Sequence, residues 1–249
     1  MTTFKKVNVT LMDDEDVPTC FKILSDSFGH DAPFVEIYFP NHDTPAGQAQ
    51  GSNRLAAWKH SSPHSKFLKA VTSIEEDGVS KERIVGFAIW THMKDIPPQK
   101  IEDVENVDEV WPDPDDRRFM AALWGEYVKP RTQAVEDAGG KGVYGKLGMV
   151  ANPGYNYSPY LTRYLVLELL VVRPDCQRLG AGAALVTWGL QASDELRVRA
   201  VVESTPAGRR VYEKCGMRAE IEVMRFDLGE EFSRRATPKL TFLTREPGS

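Results

Sequence analysis

Cysteine is scarce in this 249-residue chain: Cys20, Cys176 and Cys215 are odd in number and far apart. Such a set builds neither a disulfide framework nor a zinc site, and it points to reduced thiols in an intracellular, cytoplasmic protein. Long apolar runs are missing as well. No stretch reaches the roughly 18 residues needed to span a bilayer, and residues 1–27 lack the apolar segment of a secretion signal, so no membrane partner is expected. Basic residues are outnumbered, 31 Lys and Arg against 36 Asp and Glu, for a formal charge of −5. Without a basic block, nucleic acid is not expected as the main partner. The five histidines show no metal-ligand spacing: His60 and His64 stand four apart, but Pro63 lies between them and breaks the helix that would align them, so no metal is expected. No Gly-x-Ser-x-Gly elbow offers a hydrolase nucleophile. What remains, 41% hydrophobic and 27% charged residues, is the composition of a globular protein long enough for a substantial core.

The informative stretch is Leu165 to Gly182, LVLELLVVRPDCQRLGAG. An apolar strand runs into Pro174, then into the loop Gln177-Arg178-Leu179-Gly180-Ala181-Gly182, then into a helix that continues from Ala183. A strand, a loop with two glycines and a helix start form a cradle for phosphate. The first helical N–H groups are unpaired, the helix dipole is positive there, and glycine removes the Cβ from the ligand's path. A Walker loop requires Gly-Lys-Ser/Thr, which is missing after Gly182. A Rossmann loop requires a third glycine where Leu185 stands, although Glu203 keeps the ribose-acid spacing open. Glycines serving helix packing alone are the bland alternative.

Around this stretch the chain alternates strands and helices. Strands are expected at 6–12, 68–74, 84–92, 164–172, 198–202, 219–228 and 240–244. Helices are expected at 13–28, 52–60, 183–196 and from Pro206 to about Gly216. Residues 33–51 read as turn-rich, and Glu76-Asp77-Gly78 reads as a hairpin turn. A long excursion separates the third and fourth strands. Its helix, capped by Asp113 or Asp115, carries Phe119, Met120, Leu123, Trp124, Tyr127 and Val128 at helical spacing, an aromatic stripe that reads as core. Pro130 is expected to break or restart that helix before Gly139-Gly140, and 142–160 reads as a loop rich in glycine, proline and tyrosine.

The pattern Gln177-x-x-Gly180-x-Gly182 after Leu170-x-Val172-x-Pro174 resembles the acetyl-CoA loop of the GNAT N-acetyltransferases. Val211-Tyr212-Glu213-Lys214-Cys215-Gly216-Met217 resembles that family's L-Y-x-K-x-G-F motif, with Met217 in place of the aromatic residue. The resemblance implies an α/β fold with a mixed central sheet flanked by helices and opened into a V at Leu165 to Val172. A helical and loop insertion precedes the fourth strand. It also implies one acetyltransferase domain over residues 1–249, with the insertion 94–163 shaping the acceptor site. The implied reaction is direct transfer of an acyl group, most simply acetyl, from acetyl-CoA to an amine.

Site residues follow residue by residue. Leu170, Val171 and Val172 match the splayed strand whose backbone pairs with pantetheine and polarises the thioester carbonyl. Gln177, Arg178, Leu179, Gly180, Ala181, Gly182 and Ala183 match the pyrophosphate loop. Arg209, Arg210 and Lys214 are further basic residues near the helix starts. Tyr212 matches the tyrosine that assists thiolate departure, or else only packs beneath the coenzyme. Glu168, nine residues before Gln177, stands where some small-amine members of the family place a base; others place it at the position of Val166. A half-buried carboxylate there has the chemistry to take an ammonium proton, and a purely structural glutamate is the alternative. Glu203, at the end of the next strand, is the second candidate base. Cys176 beside the loop reads as a small filler residue. A small-molecule amine is the expected acceptor. Acetylation of a protein or peptide, an inactive acetyl-CoA-binding regulator, and a scaffold for another phosphate ligand are the competing readings.

Overall fold

The computed structural model describes residues 6–29, 32–76, 79–93, 107–137 and 164–249. The chain opens with β1 (Asn8–Leu11), α1 (Val17–Phe28), α2 (Pro33–Tyr38) and α3 (Pro45–Ser61), then the hairpin strands β2 (Ser65–Glu76) and β3 (Val79–Met93). Two helices follow, α4 (Val107–Val110) and α5 (Pro114–Asp137). The second half holds β4 (Tyr164–Val172), α6 (Ala181–Leu196), β5 (Arg199–Ser204), α7 (Pro206–Lys214), β6 (Arg218–Ile221) and β7 (Thr241–Arg245). The strands form one mixed sheet in the order β1-β2-β3-β4-β5-β7-β6, and only β4 and β5 run parallel. This is the α/β architecture implied by the loop and tyrosine motifs, with helices of the insertion entering before the fourth strand. Among the described residues no helix is long and apolar enough to cross a membrane.

Each face of the sheet buries a different set of helices. On one face α6 and α7 cover Leu68, Ala88, Trp90, Leu165, Leu167, Ala200 and Val202. Gly189 makes the α6 contact possible, since a Cβ there would lie 2.0 Å from the Trp90 ring. On the other face two separate clusters form. α1 and α3 pack with Phe67, Phe87, Ile89 and Val171, while Tyr127 and Val128 of α5 pack with Tyr164, Val166, Val201 and Phe242. The gap between these two clusters on the same face is where the candidate site lies.

The structure corrects several sequence expectations. The region read as turn-rich holds α2 and the first turns of α3. α3 begins at Pro45, seven residues before the expected start, because the Thr44 hydroxyl caps it by accepting the Gly47 N–H at 3.0 Å. α5, capped by Asp113 through the Asp115 N–H at 2.8 Å, runs on through Pro130 to Asp137. A proline inside a helix costs about 3 kcal/mol, but buried Tyr127, Val128 and Arg131 straddle it and their packing holds the helix together. α6 starts at Ala181, and β6 stops at Ile221 instead of reaching Leu228. The turn at Asp77-Gly78, the helix end at Gly139-Gly140 and the 142–160 loop lie outside the described residues.

Candidate active site

The sheet opens at its centre. β4 pairs with β5 only through Tyr164–Arg199, Leu165–Ala200 and Val166–Val201, and past that point the two strands diverge. On its other side β4 stays paired with β3, but the register slips. Ile89 faces Leu169 while Trp90 faces Leu167, which leaves Glu168 as the extra residue of a β-bulge. A bulge re-aims a side chain without ending the strand. Here it turns Glu168 to the face that carries Leu169, and both line a cavity of about 220 Å³.

The cavity occupies the gap between the two helical clusters. Tyr38 and Phe39 come from the end of α2, Trp58 and His64 from the end of α3 and the turn after it, and Thr91 and Met93 from β3. Trp124, Tyr127, Val128 and Arg131 come from α5. The aromatic stripe of α5 is therefore divided. Phe119, Met120 and Leu123 are fully buried core residues, as the sequence pattern implied, whereas Trp124 and Tyr127 form a wall of the cavity. Trp124 stacks between Tyr38 and Tyr127, with ring centroids 6.1 and 5.5 Å away.

Arg131 joins the two candidate bases. Its guanidinium forks onto Glu203, with Nε donating to Oε1 at 2.9 Å and Nη2 to Oε2 at 2.5 Å, and its Nη1 donates to Glu168 Oε2 at 2.8 Å. The side chains of Arg131 and Glu203 are 3% and 0% exposed, while Glu168 is 11% exposed. Glu203 is thus enclosed with both oxygens occupied. Glu168 has one oxygen on Arg131, and its Oε1 has no hydrogen-bond partner among the described residues. Burial pushes the Glu168 carboxyl above its ordinary range, the guanidinium pulls against that rise, and the Glu203 carboxylate adds to it.

The motif loop lies beyond the open end of the V. Arg178 and Gly180 adopt positive φ, 67° and 88°, which turns the chain sharply into α6. Among the described residues, no hydrogen-bond acceptor takes the backbone N–H groups from Gly180 to Ala183; the first helical bond is Ala184 N–H to Gly180 O at 2.9 Å. A Cβ on Gly182 would meet Val172 at 3.6 Å and Val211 at 3.7 Å, so the end of β4, the start of α6 and α7 converge here. Of the nearby basic residues, Arg209 is engaged by Glu213 and Glu222, and Arg173 by Asp175. Arg178 is exposed and has no ion pair among the described residues. Tyr212 is buried in the same cluster as Ala181 and Val202, and burial, with a smaller contribution from Cys215, raises its pKa, so the phenol keeps its proton. Cys20 and Cys176 are buried thiols whose pKa values burial raises, that of Cys20 to about 12, so neither is an activated nucleophile.

The structure brings Glu168 and Glu203 together through a residue the sequence did not single out. Arg131 is 37 residues from Glu168 and 72 from Glu203. The signal that existed was its place one helical turn beyond Tyr127, on the same face as the aromatic stripe.

The model of the acetyltransferase (GNAT) family matches residues 32–217, a span that includes both carboxylates, the loop and Tyr212. No curated protein is matched by the sequence. In three dimensions the chain is similar to arylalkylamine N-acetyltransferase 2 from Aedes aegypti, with TM-score 0.57 and 14% identity over 97% of this chain and 99% of that one. It is also similar to an agmatine N-acetyltransferase, with TM-score 0.56 and 12% identity over 97% and 100%. A third similar structure is the polyamine N-acetyltransferase of Drosophila melanogaster, which forms N-acetylagmatine, with TM-score 0.52 and 14% identity over 96% and 98%. At such identities the likeness is one of fold. The family match over 32–217, carried by a chain with this sheet and this loop, makes the protein a member of the acetyltransferase (GNAT) family and an N-acetyltransferase of that type.

Proposed function

We propose that this enzyme acetylates the primary amine of a small molecule with an aromatic or otherwise apolar body, using acetyl-CoA as donor and Glu168 as the base. The observation that carries this reading is the Glu168 carboxylate, set by a bulge against an aromatic-walled cavity of about 220 Å³. Pockets for drug-sized ligands run about 300–1,000 Å³, so this one suits a compact acceptor. Glu168 is the one acidic residue among the described lining residues. A diamine or guanidino-amine would need a second anion, and apart from Glu168 the described lining is aromatic, apolar, hydroxyl-bearing or basic. We therefore favour an arylalkylamine-like acceptor over agmatine or a polyamine, and either over a peptide. The insertion 94–163 acts as the acceptor-site wall through α5.

The chain fits acetyl-CoA on two counts. The N–H groups from Gly180 to Ala183 are free for the pyrophosphate at the positive end of α6, with Arg178 nearby in the loop. Beyond Val166 no strand pairs with the β5 side of β4, so an extended ligand can add as a strand along Leu170 to Val172, where the Ser27 hydroxyl now donates to the Val172 carbonyl at 3.3 Å. The donor supplies the acetyl group as a thioester. Glu168 Oε1 takes the ammonium proton, and the freed amine lone pair forms the new C–N bond as the C–S bond breaks. A β4 N–H polarises the carbonyl oxygen, and the protonated Tyr212 phenol gives a hydrogen bond to the leaving sulfur. The second proton lost from nitrogen as the amide forms passes to that sulfur, which departs as the CoA thiol. The three unpaired cysteines suit a reducing compartment such as the cytoplasm.

The test is release of free CoA thiol from acetyl-CoA with 2-phenylethylamine, agmatine, spermidine and a lysine-containing peptide as acceptors. The expected result is the highest kcat/KM with 2-phenylethylamine. Preference for the peptide would overturn the acceptor reading, and acetyl-CoA binding with no turnover of any amine would favour a regulator.

A further inference from the structure

Resting on Glu168 as the base, we propose that Arg131 is a positioning residue for acyl transfer: α5 inserts its guanidinium between the diverging strands, where Glu203 fixes it and it holds Glu168 with one oxygen toward the acceptor cavity. Catalytic competence then depends on the docking of an insertion helix.

The geometry divides the guanidinium into an anchor and a working end. Nε and Nη2 form a two-point fork with Glu203, which fixes the plane of the group. Only the Nη1 side is left to reach across to Glu168 Oε2 at 2.8 Å. A carboxylate held through one oxygen by a fixed donor has its other oxygen fixed in direction too, and Glu168 lines the cavity. Tyr127, one turn earlier on α5, lays its ring 5.2 Å from the Arg131 guanidinium carbon and keeps the group from swinging away.

The charges make the arrangement more than a brace. Arg131 balances one of two buried carboxylates, so the trio keeps one net negative charge beside the site where an ammonium group would bind. Without the guanidinium, two carboxylates would face each other in an almost closed space, and one of them would hold a proton at neutral pH. A protonated Glu168 cannot serve as a base. The groups facing Glu168 are Arg131 and Tyr127 from α5, Glu203 from β5, Tyr38 from α2 and His64 from the turn after α3. Arg131 is the one cation among them that is held on the carboxylate by a hydrogen bond. Lysine would keep the charge but lacks the fork that reaches both strands.

Two substitutions give shifts of opposite sign. Arg131→Met removes the cation and should move the Glu168 titration upward. Glu203→Gln removes the like charge while keeping the side chain's shape and one of the fork's two acceptors, and should move it downward. The readouts are carboxyl 13C chemical shifts of glutamate-labelled enzyme, with the Glu168 signal assigned by its loss in Glu168→Gln, and the acidic limb of kcat/KM for 2-phenylethylamine. Circular dichroism establishes that each variant folds, and Glu203→Gln carries the test if Arg131→Met does not. Opposite displacements of the limb, matched by the 13C titrations, are the expected result. Loss of amplitude with the limb unmoved in a folded variant would reduce Arg131 to a brace and overturn the proposal. Wild-type kcat in Glu168→Gln would instead overturn the base reading, so the two failures are separable.

Discussion

Gly182→Ala separates the cradle from the fold. A Cβ at this position meets Val172 at 3.6 Å, Val211 at 3.7 Å and Leu170 at 3.9 Å, all ordinary contacts, and φ is not in the left-handed region. The unliganded variant should therefore be as stable as the wild type, or more stable by up to about 0.5–1 kcal/mol from replacing a helical glycine. The methyl would stand where β4, α6 and α7 converge, beside the helix-start N–H groups proposed to meet the phosphate, and is expected to hinder its approach. Losing one hydrogen bond to a charged group costs about 1.5–3 kcal/mol, roughly 10- to 150-fold in affinity. At about 100 times the wild-type dissociation constant, acetyl-CoA stabilises the wild type by about 2.7 kcal/mol, and the variant by about 0.3–1.4 kcal/mol. For a chain of this size 1 kcal/mol is about 2–4 °C in Tm, so the ligand-induced shift falls from about 5–11 °C to about 1–6 °C. Thermal denaturation with and without acetyl-CoA measures both quantities. A full ligand shift in the variant, or a large drop in Tm without ligand, would refute the reasoning. Gly180→Ala is the complementary control. Its Cβ meets nothing within 4 Å, but its φ of +88° costs an L-residue about 1–2 kcal/mol, so there the unliganded Tm should fall.

Three further outcomes are expected. Because burial raises the Glu168 carboxyl and the base must be ionised to work, kcat/KM should decline on acidification at a pH above the ordinary glutamate value of about 4.3; a limb at or below that value would contradict the role. Tyr212→Phe should lower kcat by roughly 10- to 150-fold, the worth of one hydrogen bond to a charged group, with acetyl-CoA binding retained; an unchanged kcat would make the phenol a packing residue. Gly189→Ala would place a Cβ 2.0 Å from the Trp90 ring, and such overpacking should cost about 1–3 kcal/mol, visible as a lower Tm and a changed tryptophan emission.

Local chemistry made the loop and its helix legible from the sequence. The glycines directly follow the strand, and the Tyr212 motif is an unbroken run further on, so the spacing within each is itself the signal. The aromatic spacing of α5 likewise announced a helix, although periodicity gives no means of telling a core face from a cavity wall. Glu168 was visible as the lone charge in an apolar strand. Its direction was hidden, because LVLELLVV has no polar alternation from which a bulge can be read. Arg131 was hidden for a different reason: its meaning comes from partners on two other strands, and side-chain pairing across such distances leaves no local pattern. The early start of α3 was obscured by Gly47 and Gly51, which weaken helix propensity. Yet Gly51 is there because the Phe21 ring occupies the place of its Cβ, a tertiary contact that sets the residue against its local preference.

The short pairing of β4 with β5 also has a consequence for how the free enzyme exchanges its amide hydrogens. β4 stands fourth in a seven-stranded sheet, with three strands on either side. Its amides that point to β3 are bonded along the strand and should resist deuterium. Those that point toward β5 beyond Val166 meet no strand and should exchange much faster. The middle of the sheet would then carry an alternating record of slow and fast sites, with the kinetics of a rim at the centre of the fold. Acetyl-CoA, laid along that strand, would turn the fast sites slow.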